Sequence, residues 1–369
     1  MNRPFLLFAV CLLSLFIFSS AQEPSPEQLQ QQIELQLRAF QSPKRQLEEL
    51  STQLAAFRSP WEGNGTVTTL SLAMRLIGAD ELGLSEEQKE RLPFTPDGDG
   101  MKAGPYQEFY SRDNPSPELA KLREELRAVL IPDDPFLERA TQEQKSAILE
   151  VDTRVELLFQ KTLQATIEET LTPEQMHEIR KLEIQLMSQI GIPFPTMFEI
   201  FDLTDEQKEE MDKIIAEMKP EYERLVLEFL MLQSEEKYSM RRKELAGKTF
   251  ATIEELHDSF RDINNRFTMA NPDGGRRGME FMERGVNLTT LLQNRMMDVL
   301  TDEQLNRMQE IIDETPESIK GFFAMIEAMR EYQRQSPRFV PGPDSWRPGM
   351  PLPAQFRQER QTGRFPRSE

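Results

Sequence analysis

Four stretches of this chain share one pattern: Leu84-Ser85-Glu86-Glu87-Gln88, Leu171-Thr172-Pro173-Glu174-Gln175, Leu203-Thr204-Asp205-Glu206-Gln207 and Leu300-Thr301-Asp302-Glu303-Gln304. A serine or threonine with glutamine three residues later is a capping box. The hydroxyl accepts from the N3 backbone N–H, and the glutamine reaches back to the N–H of the cap residue. Each box stabilises the start of its helix by roughly 1 kcal/mol. Pro173 suits the first helical position, where its missing N–H costs nothing. Leu171 and Leu300 precede their caps and can staple onto Met176 and Leu305. The pattern therefore demands helices, and it carries no reactive group.

The spacing of the boxes points to a duplication. Boxes one and two lie 87 residues apart, boxes three and four 97, and boxes two and three only 32. Leu163-Gln164 and Ile167 before box two align with Leu292-Gln293 and Met296 before box four at one offset, 129; Gln88-Lys89-Glu90 likewise matches Gln207-Lys208-Glu209. We read residues 61–198 and 199–335 as two divergent copies of a long helical hairpin. Residues 22–60 form an N-terminal helical segment. Residues 336–369, with seven prolines, six arginines and three acids, have the composition of a disordered tail.

The first residues read as an export signal. Arg3 is followed by an apolar run from Phe5 to Phe18 and by Ser19-Ser20-Ala21, so cleavage is expected after residue 21. The protein is then periplasmic or secreted, with no stable membrane span after cleavage. Cys11, the single cysteine, leaves with the signal, which excludes disulfides and thiolate metal sites. Arg3 leaves too, and the net charge moves from −19 to −20. Such a body repels phosphate backbones and anionic lipid, so nucleic acid is not an expected ligand. Hydrophobic content of 38% against 29% charged residues is lean for a large globular core and suits helices that bury one stripe.

Apolar residues fall at helical spacing through most of the chain. Ser25-Pro26-Glu27-Gln28 caps a first helix, and Leu47, Leu50, Leu54 and Phe57 form the seam of a second that packs on a partner helix. Residues 93–117 read as a loop. Within it Asp97-Gly98-Asp99-Gly100 resembles part of a calcium loop, but Met101 and Lys102 stand where a ligand and a glycine are needed. Ser116 and Thr141 cap further helices, Pro220 is expected to kink or split the helix that box three starts, and Thr252-Ile253-Glu254-Glu255 is another capping box. The fold class is all-α: long antiparallel helices in a tandem-duplicated bundle or cradle.

The boxes resemble the LTxxQ motif of the bacterial periplasmic stress proteins of the Spy and CpxP kind, here as a longer, doubled variant. The residues that carry the resemblance are Leu84, Ser85 and Gln88; Leu171, Thr172 and Gln175; Leu203, Thr204 and Gln207; and Leu300, Thr301 and Gln304. That resemblance implies a cradle-like homodimer of long antiparallel helices that binds unfolded or misfolded client proteins without ATP; envelope proteins are further expected partners.

No motif for a nucleophile, phosphate loop or HExxH zinc site is present, and the two histidines, His177 and His257, lie far apart in the sequence. We expect no catalytic residue, cofactor or metal. Glu206, Glu209, Glu210 and Asp212 read as a solvated helix face, with Glu206 favouring the helix dipole. Sixteen of 19 methionines fall at or after Met176. Methionine fills irregular helix interfaces and also builds adaptable binding surfaces, and Met279, Met282, Met296, Met297, Met325 and Met329 are candidates for client contact. The alternative is a structural or interaction protein of the cell envelope whose basic tail docks on an acidic partner.

Overall fold

A computed structural model describes residues 25–95, 101–110, 115–131, 133–190, 195–270, 275–324 and 328. The signal stretch with Cys11, the calcium-like turn at 97–100, Met325, Met329 and the tail lie outside them. The described residues are all-α. In order they form α1 (Pro26–Phe40), α2 (Pro43–Arg58), α3 (Gly65–Leu76), α4 (Glu86–Arg91), α5 (Ala103–Phe109) and α6 (Pro117–Val129). Then come α7 (Gln142–Thr170), α8 (Pro173–Ile190), α9 (Asp205–Leu245), α10 (Ile253–Ala270), α11 (Gly275–Met297) and α12 (Asp302–Asp313). Short 3-10 turns occupy Ser59–Glu62 and Pro195–Phe201, and residues 317–324 are helical. Among the described residues the sole β pairing is one antiparallel bridge between Phe94 and Met101.

Helix starts follow their caps. Ser25, Ser85, Thr141, Thr204 and Thr301 each close a full capping box, while Ser42 and Ser116 accept from the N3 N–H alone. At α10 the box is altered: Thr252 accepts from Glu255 N at 3.1 Å, but Glu255 reaches one residue further, to Ala251 N at 2.8 Å. One expectation is corrected, and one of two alternatives is removed. Residues 93–117 are not loop throughout, since α5 lies within them. Pro220 does not split its helix, because α9 runs unbroken through 41 residues. At the α-helical rise per residue that is a rod roughly 60 Å long. The carbonyl that Pro220 leaves unpaired is that of Ala216, and both residues are exposed, so water can hydrate it.

The boxes share a register of burial. Leu84, Leu171 and Leu300 are buried, as are Leu92, Ile179 and Met308 eight residues on, and every residue between them is exposed or half-buried in the same order. In the third box Leu203 is half-buried and Met211 buried. At the offset of 129, Leu163 with Leu292 and Ile167 with Met296 are buried pairs. Equivalent positions thus face equivalent surroundings.

The two copies do not stand apart. The largest core joins Leu50 and Leu54 of α2, Ile148 and Val151 of α7, Tyr222 and Val226 of α9, and Leu292 of α11. α2 therefore packs between α7 of the first copy and α9 of the second, not on its neighbour α1. Fully burying each such large apolar side chain is worth ~1.5–3 kcal/mol, so this wedge binds both copies into one body. α1 packs instead on α10 through Ile33, Leu256 and Ile263, with Phe40 stacked on Phe260 at 4.1 Å. A second core gathers α3, α7 and α8 around Leu70, Leu163 and Leu186, with Leu84 and Leu92 on either side of α4.

Candidate functional site

The boxes do more than start helices: they pair across the fold. The Gln88 amide oxygen accepts from its own cap residue, Ser85 N, at 3.0 Å, while Gln88 Nε2 donates to Gln175 Oε1 at 2.7 Å and to Thr170 O at 3.0 Å. Gln175 reciprocates. Its oxygen accepts from Thr172 N at 2.9 Å, and its Nε2 donates to Gly83 O at 2.9 Å and Gln88 Oε1 at 3.2 Å. Both amides are thereby satisfied on each side, which a half-buried polar group requires.

Boxes three and four repeat the arrangement. Gln207 Nε2 donates to Gln304 Oε1 and to Val299 O, both at 2.8 Å, and Gln304 Nε2 donates to Phe201 O at 3.0 Å. In three of the four cases the backbone acceptor lies two residues before the cap. Phe201 lies three before, at the end of the 3-10 turn, where a carbonyl lacks a helical partner. Gly83 and Asp202, which precede the first and third boxes, both have left-handed backbone, φ 65° and 49°. Glycine is at ease there, and Asp is among the few other residues that tolerate it. Each knot thus ties a box that follows a loop to a box that follows a long helix.

The carboxylates of the first helical turn behave as dipole partners. Glu174 and Glu206 are held below the ordinary carboxylate value by their backbone N–H groups and by the hydroxyls of Thr172 and Thr204.

Two buried polar groupings lie away from the knots, and neither was anticipated from sequence. Between α3, α7 and α8, Glu183 accepts from Arg180 Nη1 at 2.9 Å and from Thr66 at 3.3 Å, while Gln164 Nε2 donates to Thr66 at 3.0 Å. Arg180 Nε also meets Glu199 at 2.9 Å. This fastens α8 to α3 with charge held inside the core, where it must be paired.

The second grouping joins α2, α9 and α10. Arg241, 1% exposed, donates to Glu49 at 2.7 Å and to Asn264 at 2.8 Å, and its guanidinium lies 4.5 Å from the Phe260 ring centre. Lys237 and Arg45 also pair with Glu49, at 3.1 and 3.0 Å. Burial alone would push Glu49 up, but the hydrogen bond and charge of Arg241, with Lys237 and Arg45, hold it below the ordinary carboxylate value.

The methionine candidates divide. Met296 is buried in the main core, Met297 is half-buried against it, and the side chains of Met279 and Met282 lie outside the described residues. Among the described residues the most exposed large apolar side chain lies beside them on α11. Leu291 is 53% exposed, with Leu288 half-buried next to it. They share a flank with Arg284 and Arg295, which pair with Glu228 and Glu217 of α9 at 3.5 and 2.8 Å. Inside the same hairpin Phe229 stacks on Phe281 at 4.1 Å. Of the histidines, His177 is exposed, and His257 Nε2 lies 2.7 Å from Gln36 Oε1. Among the described residues no cluster of three or more His, Cys, Asp or Glu is placed to hold a metal ion.

No protein-family model matches this chain, and no curated protein or solved structure matches it. Among the described residues no helix is long and apolar enough to cross a membrane.

Proposed function

We propose that the chain is an exported, non-enzymatic binding protein that holds exposed apolar segments of other proteins, in the manner the LTxxQ resemblance implies. The observation that carries this reading is the open flank of the α9–α11 hairpin. There Leu291 and Leu288 sit between two ion pairs, on a hairpin fixed at one end by the Gln207–Gln304 knot. An exposed leucine rimmed by charge suits weak, sequence-tolerant contact with unfolded chain, because the apolar centre supplies affinity while the rim stays solvated. The acidic body adds a preference for clients with basic segments.

The test is aggregation of a reduced or heat-damaged client followed by light scattering. Residues 22–369 should slow it at near-stoichiometric ratio without nucleotide. Unchanged aggregation of several unrelated clients would overturn the reading.

A further inference from the structure

We propose that Tyr110 and Glu156 form an acid-tightened clasp that fastens α5 onto α7. α5 has little to hold it in place by itself. It is seven residues long, contains Gly104 and Pro105, and has no side-chain cap at Lys102. Its position therefore rests on what it touches. Tyr106 and Phe109 pack against Phe159 of α7 with ring centres 5.5 and 5.0 Å apart, and Tyr110 Oη donates to Glu156 Oε1 at 2.9 Å. Arg123 of α6 holds the Tyr110 carbonyl at 3.2 Å.

Glu156 sits among like charges. Asp152 precedes it by one turn on the same face of α7, and Glu48 faces it from α2. The basic groups nearby are Lys44 and Arg45 of α2, each 3.9 Å from Glu48, and Arg154 of α7, which pairs with Glu125 of α6 at 2.7 Å. Burial pushes Glu156 above the ordinary carboxylate value against the opposing Tyr110 hydrogen bond, and Asp152 and Glu48 push it further up. Burial also keeps Tyr110 well above its usual value, so it remains a proton donor throughout.

The sign follows from which state buries the carboxyl. α5 covers Glu156 when closed and uncovers it when open, so the closed state holds the proton more tightly. Acid therefore favours closure. Protonated Glu156 still offers its carbonyl oxygen to Tyr110, so the clasp survives proton uptake while repulsion from Asp152 and Glu48 is relieved. Glu49, next to Glu48 on α2 and paired with Arg241 and Lys237 of α9, is shifted the opposite way, so the α2–α9 ion pairs stay charged while Glu156 takes up its proton.

Hydrogen exchange of the amides in residues 103–110, corrected for intrinsic rates, tests this on the full mature chain at pH 7.5 and pH 5. The wild type should open several-fold less at the lower pH, the full factor of about tenfold for each unit separating the open-state and closed-state values being reached only below the open-state value. Glu156→Gln keeps the hydrogen bond without the charge and should be protected equally at both. Asp152→Asn should move the transition to lower pH. Exchange independent of pH in the wild type, or the same pH dependence in Glu156→Gln, would overturn the clasp.

Discussion

Gln207 and Gln304, 97 residues apart, exchange hydrogen bonds through their side-chain amides while each amide also caps its own helix. One residue type thus starts a helix and fixes where the partner helix begins. A double-mutant cycle should show this. Gln207→Ala or Gln304→Ala alone should cost about 1–3 kcal/mol, because each leaves a half-buried carbonyl unpaired. The double variant should cost less than the sum, with coupling of roughly 0.5–3 kcal/mol in urea unfolding. Additive losses would show that the two amides act separately.

The hydroxyl of the cap is a smaller term. Gln304 N donates to Thr301 Oγ1 at 3.3 Å. Thr301→Ala removes that acceptor and leaves the amide knot in place, so it should lower stability by about 1 kcal/mol. Thermal unfolding would read it. A loss as large as that of Gln304→Ala would mean that the knot depends on the hydroxyl.

Arg241 and Glu49 couple stability to pH. Glu49 has its value lowered in the folded chain, so its contribution is full above the unfolded value and is lost as pH falls through the folded one. Glu49→Gln should flatten the stability profile over that acidic window. Arg241→Ala should cost about 1.5–3 kcal/mol at neutral pH, because it removes the charged hydrogen bond to Glu49 while Lys237 and Arg45 still pair with that carboxylate. Urea midpoints measured from neutral pH down through the carboxylate range would check both.

Much of the helix inventory was legible because caps and stripes are local. Ser85, Thr172, Thr204 and Thr301 begin helices for reasons contained within four residues, and the offset of 129 between the copies pointed to Leu292 and Met296 as the counterparts of Leu163 and Ile167. Partners were not legible. Leu47, Leu50 and Leu54 say that one face of α2 is covered, yet apolar periodicity is the same whether the cover is α1, α7 or α9. α5 lay within a stretch that reads as loop, and what holds it, Phe159 and Glu156, lies far along the chain. Whether Pro220 kinks or splits its helix stays open in the sequence because its surroundings, an exposed face on a long helix, are set by tertiary packing. The glutamine knots had a signal in the alternating spacing of 87, 32 and 97 residues. Capping accounts for one role of each glutamine, and the second needs the fold.

The proposed binding role stands most directly on Leu291. Leu291→Asp places a charge at the centre of the open flank, where side-chain exposure makes a loss of fold stability greater than about 0.5 kcal/mol unexpected. Client aggregation should therefore be followed with the wild type and this variant side by side, with their unfolding midpoints compared. The account predicts that Leu291→Asp suppresses aggregation several-fold less well at an unchanged midpoint. Equal suppression by the two proteins would contradict it.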